Sequence, residues 1–155
     1  MHPLRVVGVR VELPTNQPVV LLREVDGLRY LPIWIGAVEA SAIAFQQQGV
    51  QTVRPLTHDL VRDIIDALGL RLETVHITEM RDDIFYAELN FTGGVTVSAR
   101  PSDAIALALR CDAQILGTDE VMAAAGIELP NEQDDEVERF REFLDHVSPE
   151  DFAAE

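Results

Sequence analysis

Three short blocks of the sequence contain side chains that can act in catalysis or bind a ligand. The blocks read LPIWIGAVEASAI (31–43), RPLTHDL (54–60) and RPSDAIALALR (100–110). Their candidate residues are Glu39, His58, Asp59, Asp103, Arg54 and Arg100. Histidine can serve as a general base near neutral pH, carboxylates can bind a divalent cation, and arginine can bind a phosphate or a carboxylate. These residue types admit acid–base chemistry, metal binding and internal ion pairing alike.

Sequence motifs for several other kinds of chemistry are absent. The chain has neither a GxGxxG nor a GxxxxGK[ST] sequence, which argues against a dinucleotide site or a P-loop. The single cysteine, Cys111, excludes a cysteine-rich zinc site, and there is no HExxH sequence. The histidines have no metal-ligand spacing; they are His2, His58, His76 and His146. The residues alone therefore predict an α+β domain without assigning it a reaction.

The hydropathy pattern places the three blocks on a set of strands and helices. Apolar alternation and β-branched residues predict strands at 4–12, 19–25, 28–35, 71–79, 84–91, 95–99 and 114–117. Helical spacing predicts helices that begin near residues 37, 57, 102 and 118. Asp26-Gly27 predicts a tight hairpin turn, and Pro32 predicts an edge or a bend in the strand that follows. Because strands occur in runs with helices between them, the fold class is α+β, with a largely antiparallel or mixed sheet and helices packed on it.

Capping residues define the ends of the predicted helices. The predicted N-caps are Thr57, Ser102 and Thr118, and the predicted stops are Gly49 and Gly69. Under this assignment Glu39, Asp59 and Asp103 lie in or near the first turns of three helices. An acid at that position is stabilised by the helix dipole. Each of the three carboxylates therefore has a structural explanation beside a functional one.

The charge of the chain argues against tight nonspecific binding of nucleic acid. The 155 residues carry 27 acidic and 12 basic side chains, a net charge of −15. Residues 131–155 contain ten acids and two arginines, so residues 1–130 still carry a net −7. A protein held on phosphates by counterion release has a basic surface instead. A local arginine patch or a bridging metal remains compatible with this composition.

The chain divides into a predicted domain at 1–130 and an acidic helical appendage at 131–155. Val137, Phe140, Phe143, Leu144 and Val147 form a helical apolar stripe in the appendage. No stretch approaches the roughly 18 apolar residues of a transmembrane helix, and the N-terminus has no apolar core typical of a signal peptide. The expected location is the cytoplasm.

In this order and spacing the three blocks resemble the bifunctional nuclease family, whose members are credited with acting on both RNA and DNA. The resemblance covers about residues 4–130. It implies a compact α+β domain, commonly paired as a homodimer, and the hydrolysis of phosphodiester bonds in RNA and DNA as the function. Family members often carry an acidic residue just ahead of the Ala-Arg-Pro sequence, where this chain has Ser98.

Phosphodiester cleavage, the reaction that the resemblance implies, needs an activated water and stabilisation of charge on the phosphate, and the block residues are candidates for both. Glu39, Asp59 and Asp103 are the candidate metal ligands, with Mg²⁺ or Mn²⁺ as the expected cofactor. Those carboxylates and His58, as general base, are the candidate catalytic residues. The candidate substrate-binding residues, which would stabilise charge on the phosphate, are Arg54 and Arg100.

A second interpretation of the same residues is structural. Arg54, Arg100 and the acids can form an internal ion-pair network that orders the helix starts. The protein is then a non-catalytic homodimeric module that binds a protein or a small ligand. Both interpretations require Glu39, His58 and Asp103 to lie close together, which the structure can test.

Overall fold

An open eight-stranded sheet forms the scaffold of the protein, of which this computed structural model describes residues 1–12 and 15–128. The strands are β1 (His2–Glu12), β2 (Gln17–Glu24), β3 (Arg29–Trp34), β4 (Leu72–Arg81), β5 (Ile84–Phe91), β6 (Thr96–Ala99), β7 (Gln114–Gly117) and β8 (Ile127–Glu128). Their order across the sheet is β6-β5-β4-β7-β1-β2-β3-β8. The predicted α+β class with a mixed sheet is confirmed.

Two antiparallel meanders make up most of the sheet. β1, β2 and β3 form one, and β4, β5 and β6 form the other. Residues 25–28, which include Asp26-Gly27, connect β2 to β3, so this connection is longer than the predicted tight hairpin turn. Strand β7 joins the two meanders, because it pairs antiparallel with β1 and parallel with β4. Pro32 lies in the part of β3 beyond the residues that pair with β8, so its missing N–H interrupts no ladder there.

Four helices complete the described part of the chain, and their packing creates two layers on the sheet. They are α1 (Ala37–Gln47), α2 (Thr57–Ala67), α3 (Pro101–Cys111) and α4 (Asp119–Ala125). Helices α1 and α3 pack on the strands and on each other, whereas α2 packs chiefly on α3. The run of residues 104–108 in α3 is buried on every side, as its uniformly apolar sequence predicts.

The helix ends agree with the predicted caps at three positions and differ at two. The Thr118 hydroxyl accepts a hydrogen bond from the Val121 amide, as predicted. Gly49 and Gly69 follow α1 and α2 with positive φ, the conformation that favours glycine after a helix. Thr57 and Ser102 are not N-caps, because the N-cap of α2 lies one residue earlier than predicted, at Leu56, and that of α3 two residues earlier, at Arg100.

The earlier starts have identifiable physical causes. Pro101 occupies the first position of α3, where its fixed φ and missing N–H fit, so Arg100 becomes the N-cap. In α2 the Asp59 carboxylate accepts a hydrogen bond from the Leu56 amide at 3.1 Å, and Leu56 takes the N-cap position. The carboxylate at the third helical position therefore does the capping that was predicted for the threonine.

The predicted acidic helix at 131–155 lies outside the described residues. Among the residues that are described, no helix is long and apolar enough to cross a membrane.

A buried carboxylate ties the N-terminal strand to the β2–β3 hairpin. Glu24 is only 7% exposed and accepts hydrogen bonds from the Arg29 backbone and guanidinium at 2.8 to 3.2 Å. His2 lies 3.2 Å from the same carboxylate through Nδ1 and 2.5 Å from Asp119 through Nε2. The hydrogen bond from the Arg29 side chain is the main cause that lowers the pKa of Glu24; burial opposes it, and the Arg29 amide and the charges of Arg29 and His2 reinforce it.

We expect the stabilisation from Glu24 to be lost at low pH. A carboxylate whose folded pKa lies below its unfolded value of 4.5 contributes stability above that pH and loses it as the pH falls through the folded pKa. Glu24→Gln should therefore cost about 1–3 kcal/mol at pH 7 and much less at pH 3, measured by urea unfolding. Glu79→Gln, in an exposed pair with Arg81, is the control and should change little. An equal loss at both pH values would contradict the assignment.

Candidate active site

Residues from all three blocks meet where the first turns of α1, α2 and α3 come together. Nε2 of His58 lies 2.9 Å from Oδ1 of Asp103. The other oxygen of Asp103 accepts a hydrogen bond from Nε of Arg100 at 2.9 Å, and Nη2 of Arg100 lies at the same distance from that oxygen. Nη1 of Arg100 lies 3.7 Å from the Glu39 carboxylate. The predicted convergence of Glu39, His58 and Asp103 is present, with Arg100 between the two acids.

The contact between His58 and Asp103 determines how the imidazole can act. An ionised carboxylate only accepts hydrogen bonds, so Nε2 of His58 donates to it. The neutral ring then keeps its lone pair on Nδ1, which is the nitrogen able to take a proton. The side chain is 13% exposed, so its orientation is held by the surrounding protein as well as by Asp103. His58 thus has the arrangement of an oriented general base.

Arg100 is the most accessible charged group of the cluster. Its side chain is 66% exposed, although two of its nitrogens bind Asp103. The pKa of Arg100 is raised, first by the hydrogen bond to Asp103, then by the charges of Asp103 and Glu39. A guanidinium has five N–H donors, so it can bind Asp103 and still present donors to an anion. The first turns of three helices, whose dipoles favour negative charge, surround this position.

Asp59 belongs to a separate, more deeply buried ion pair. Its Oδ1 accepts a hydrogen bond from Nε of Arg110 at 2.7 Å, and its Oδ2 accepts the Leu56 amide. Burial alone raises the pKa of Asp59, but the hydrogen bonds from Arg110 and Leu56 and the positive charge of Arg110 outweigh it, so the pKa is lowered. Asp59 is therefore ionised and fully engaged within the protein.

Arg110 is a buried residue next to the candidate site that sequence reasoning missed. Its side chain is 2% exposed, and besides Asp59 it donates to the Ala106 carbonyl at 2.9 Å and the Ala42 carbonyl at 3.0 Å. One guanidinium thereby joins α1, α2 and α3 directly beneath the candidate site. The available signal was an arginine at the end of an otherwise apolar, buried helix, because such a charge requires a partner.

The comparisons with known proteins decide the family. A family model described as the bifunctional nuclease domain matches residues 20–130. The chain belongs to the bifunctional nuclease family. An uncharacterized protein of Mycobacterium tuberculosis is 55% identical, covering 99% of both chains. Bifunctional nuclease 2 of rice (Oryza sativa subsp. japonica) is 31% identical over 70% of this chain and 35% of the plant protein. Bifunctional nuclease 1 of Arabidopsis thaliana is 29% identical over 61% of this chain and 31% of its own length.

The carboxylates of this bifunctional nuclease domain do not fit a divalent cation as they are arranged. Both oxygens of Asp59 and both oxygens of Asp103 already accept hydrogen bonds, and the positive charge of Arg100 stands between Asp103 and Glu39. Over residues 1–12 and 15–128, no group of three or more His, Cys, Asp or Glu side chains is placed to hold a metal ion. Ligation by Glu39, Asp59 and Asp103 would require their present partners to move, and it stays a prediction.

Two further positions of the family blocks lie apart from the cluster. Arg54 is exposed in the loop before α2, and within the described ranges its guanidinium makes no ion pair. Its backbone is fixed by a 2.6 Å hydrogen bond from the Thr52 hydroxyl. Ser98 is exposed on the edge strand β6, opposite Glu88 of β5. The ion-pair network of the bifunctional nuclease domain therefore includes Arg100 and Arg110 rather than Arg100 and Arg54.

Proposed function

We propose that this protein hydrolyses phosphodiester bonds in RNA and DNA at the junction of α1, α2 and α3. The observation that carries the proposal is the 2.9 Å contact between His58 and Asp103, with Arg100 on the other oxygen of the same carboxylate. Membership of the bifunctional nuclease family supports the reaction class. Related plant proteins that bear the name bifunctional nuclease support it as well.

Each residue of the cluster has a role in this reaction. Nδ1 of His58 takes a proton from the attacking water, whose oxygen forms the new bond to phosphorus. Asp103 orients the imidazole and stabilises its positive charge. Arg100 binds the phosphate and offsets the charge that grows on its oxygens. The imidazolium then returns its proton to the oxygen that leaves phosphorus. Glu39 positions Arg100 from the opposite side of Asp103.

The assay that tests the proposal uses labelled single-stranded RNA and DNA with Mg²⁺, Mn²⁺ or EDTA. We expect cleavage that His58→Ala reduces by about 10²- to 10⁴-fold, the usual contribution of a general base. His76→Ala is the matched control, because His76 lies on β4 and contacts Thr74. The EDTA arm tests whether Mg²⁺ or Mn²⁺ assists. The proposal would be contradicted if both variants cleaved at the rate of the wild type, or if no cleavage occurred under any condition.

A specific surface favours the second candidate function, a homodimeric module. One face of α2 carries a row of apolar side chains at intervals of four residues, each between 41% and 69% exposed: Leu56, Leu60, Ile64 and Leu68. The adjacent side of the helix, with Ile65, is buried, and α2 packs there against α3. A continuous apolar row on an outer helix is typical of an interaction surface. We propose that two copies pair through this row, since a two-fold axis across α2 brings identical apolar rows together.

We expect Leu60→Glu combined with Ile64→Glu to convert a dimer into a monomer. A carboxylate placed in the centre of an apolar contact loses its hydration without gaining a partner. Sedimentation velocity reports the change, and Ile84→Glu, at an equally exposed apolar position on β5, should leave the dimer intact. A monomeric wild-type protein at high concentration, or a double variant that remains dimeric, would exclude α2 as the interface. A dimer without nuclease activity would favour the module over the enzyme.

A further inference from the structure

A polar cavity of about 340 Å³ lies beside the candidate active site, and the proposed reaction does not use it. It is formed between the end of α1, the loop that follows, and the first turns of α2. Its polar lining residues are Gln46, Gln51, Thr52, Asp59 and Arg62. Its volume is near the lower end of the range for ligand pockets, so it suits a small group rather than an extended molecule.

Backbone hydrogen bonds hold the walls of the cavity in place. The Val50 amide donates to the Phe45 carbonyl at 2.9 Å, and the Gly49 amide donates to the Gln46 carbonyl at 3.2 Å. Gly49 has a φ of +68°, which a residue with a side chain rarely adopts, and this turns the chain from α1 into the loop. These contacts define the wall of the cavity at the end of α1.

The lining presents free hydrogen-bonding groups with no excess of charge. In the part of the chain that the structure describes, the carboxamides of Gln46 and Gln51 make no hydrogen bond, so each has donors and an acceptor available. The two charged groups of the lining already have partners, because the Asp59 carboxylate binds Arg110 and the Arg62 guanidinium binds Asp63. The ionised Asp59 disfavours a phosphate in this cavity. A neutral, flat group with several donors and acceptors fits this lining better.

We propose that the cavity receives an unstacked nucleobase of the substrate, and that the enzyme therefore acts on single-stranded nucleic acid. Carboxamides form paired hydrogen bonds with base edges, and a guanidinium plane can stack on a base. Asp59 lines the cavity and the preceding residue, His58, contacts Asp103. Consecutive helical side chains point about 100° apart, so the cavity and the catalytic pair lie on adjacent sides of one helical turn. A base in a duplex cannot enter unless it is unstacked.

Direct binding tests this inference, which rests on the proposed function only for the identity of the substrate. The probes are adenosine, guanosine, cytidine and uridine, titrated separately into isotopically labelled full-length protein. We expect the side-chain amide resonances of Gln46 and Gln51 to shift with at least one nucleoside. Gln51→Ala and Arg62→Ala should each weaken that binding about tenfold. Gln114→Ala, an exposed glutamine on β7, is the matched control and should bind as wild type does.

Cleavage provides the second measurement and separates the two proposals. We expect kcat/KM on single strands to exceed that on duplex of the same sequence, and Gln51→Ala to remove most of that preference while His58 stays in place. Nucleoside binding without any cleavage would support the cavity as a binding site for a base and would contradict the proposed nuclease activity. Cleavage of duplex and single strand at equal rates, with no nucleoside-dependent shift, would overturn the base site and leave the nuclease standing.

Discussion

Replacement of Arg110 by methionine is expected to lower the free energy of unfolding by about 3–5 kcal/mol, the usual cost of removing one partner of a buried ion pair. Methionine retains an unbranched apolar chain of similar length, so the change removes charge and hydrogen bonds more than volume. It leaves the Asp59 carboxylate without its main partner. It also removes the donors to the Ala42 and Ala106 carbonyls.

The loss is large because one side chain holds three helices. Arg110 extends from the last turn of α3, and its nitrogens reach Asp59 in α2 and Ala42 in α1. An unpaired buried carboxylate either stays charged at high cost or takes up a proton. The Arg110→Met variant should therefore become relatively more stable as the pH falls, because protonation removes the unpaired charge of Asp59. In the wild type the ion pair lowers the pKa of Asp59, so protonation of Asp59 at low pH reduces the stability of the fold.

Urea unfolding at pH 7 and pH 4 measures both effects. Arg62→Met is the matched control, because Arg62 is partly exposed on α2 and forms a surface ion pair with its neighbour Asp63. This variant should change stability by less than about 1 kcal/mol. The double variant Arg110→Met, Asp59→Leu should recover part of the loss, since no charge is then left buried alone. A cost for Arg110→Met no larger than that for Arg62→Met would show that Arg110 does not anchor the site.

The position of the candidate site was predictable because its residues are tied to local signals. Glu39, Asp59 and Asp103 each lie in the first turn of a helix, where the dipole favours an acid, and the apolar spacing that follows identifies those helices. The antiparallel runs likewise follow from short-range chemistry, and Asp26-Gly27 lies in the connection between β2 and β3, although that connection is longer than a tight turn. These features can be predicted without knowledge of the tertiary contacts between elements.

The pairing within the site was not predictable, because it depends on contacts between distant segments. Sequence reasoning assigned Arg54 to the cluster, yet Arg54 lies exposed in the loop before α2. The partner of Asp59 is instead Arg110, which is 51 residues away in the sequence. The outward row on α2 has a similar origin. Its apolar residues satisfy helical periodicity, but only part of that face meets α3, since α2 forms the outer layer. Tertiary packing decides which apolar side chains become core and which remain available to a partner.

Asp103→Asn is expected to reduce kcat by about 10²- to 10⁴-fold if His58 is the general base, because the imidazole loses the carboxylate that orients it and stabilises its charged form. Asparagine has nearly the same shape, so its amide oxygen can still accept a hydrogen bond from Arg100. The variant should therefore bind substrate with a KM close to that of the wild type. A loss confined to kcat identifies an interaction made in the transition state.

A double-mutant cycle separates this catalytic pairing from a structural one. If His58 and Asp103 act as a unit, the variant His58→Ala, Asp103→Asn should be about as slow as His58→Ala alone, since the second change removes a function already lost. Asp63→Asn, on the exposed surface of α2, is the control for the loss of a carboxylate and should retain activity. Urea unfolding of the same proteins records the structural contribution. Multiplicative losses in kcat would contradict coupled catalysis, whereas losses in stability with unchanged kcat would assign the pair to the fold.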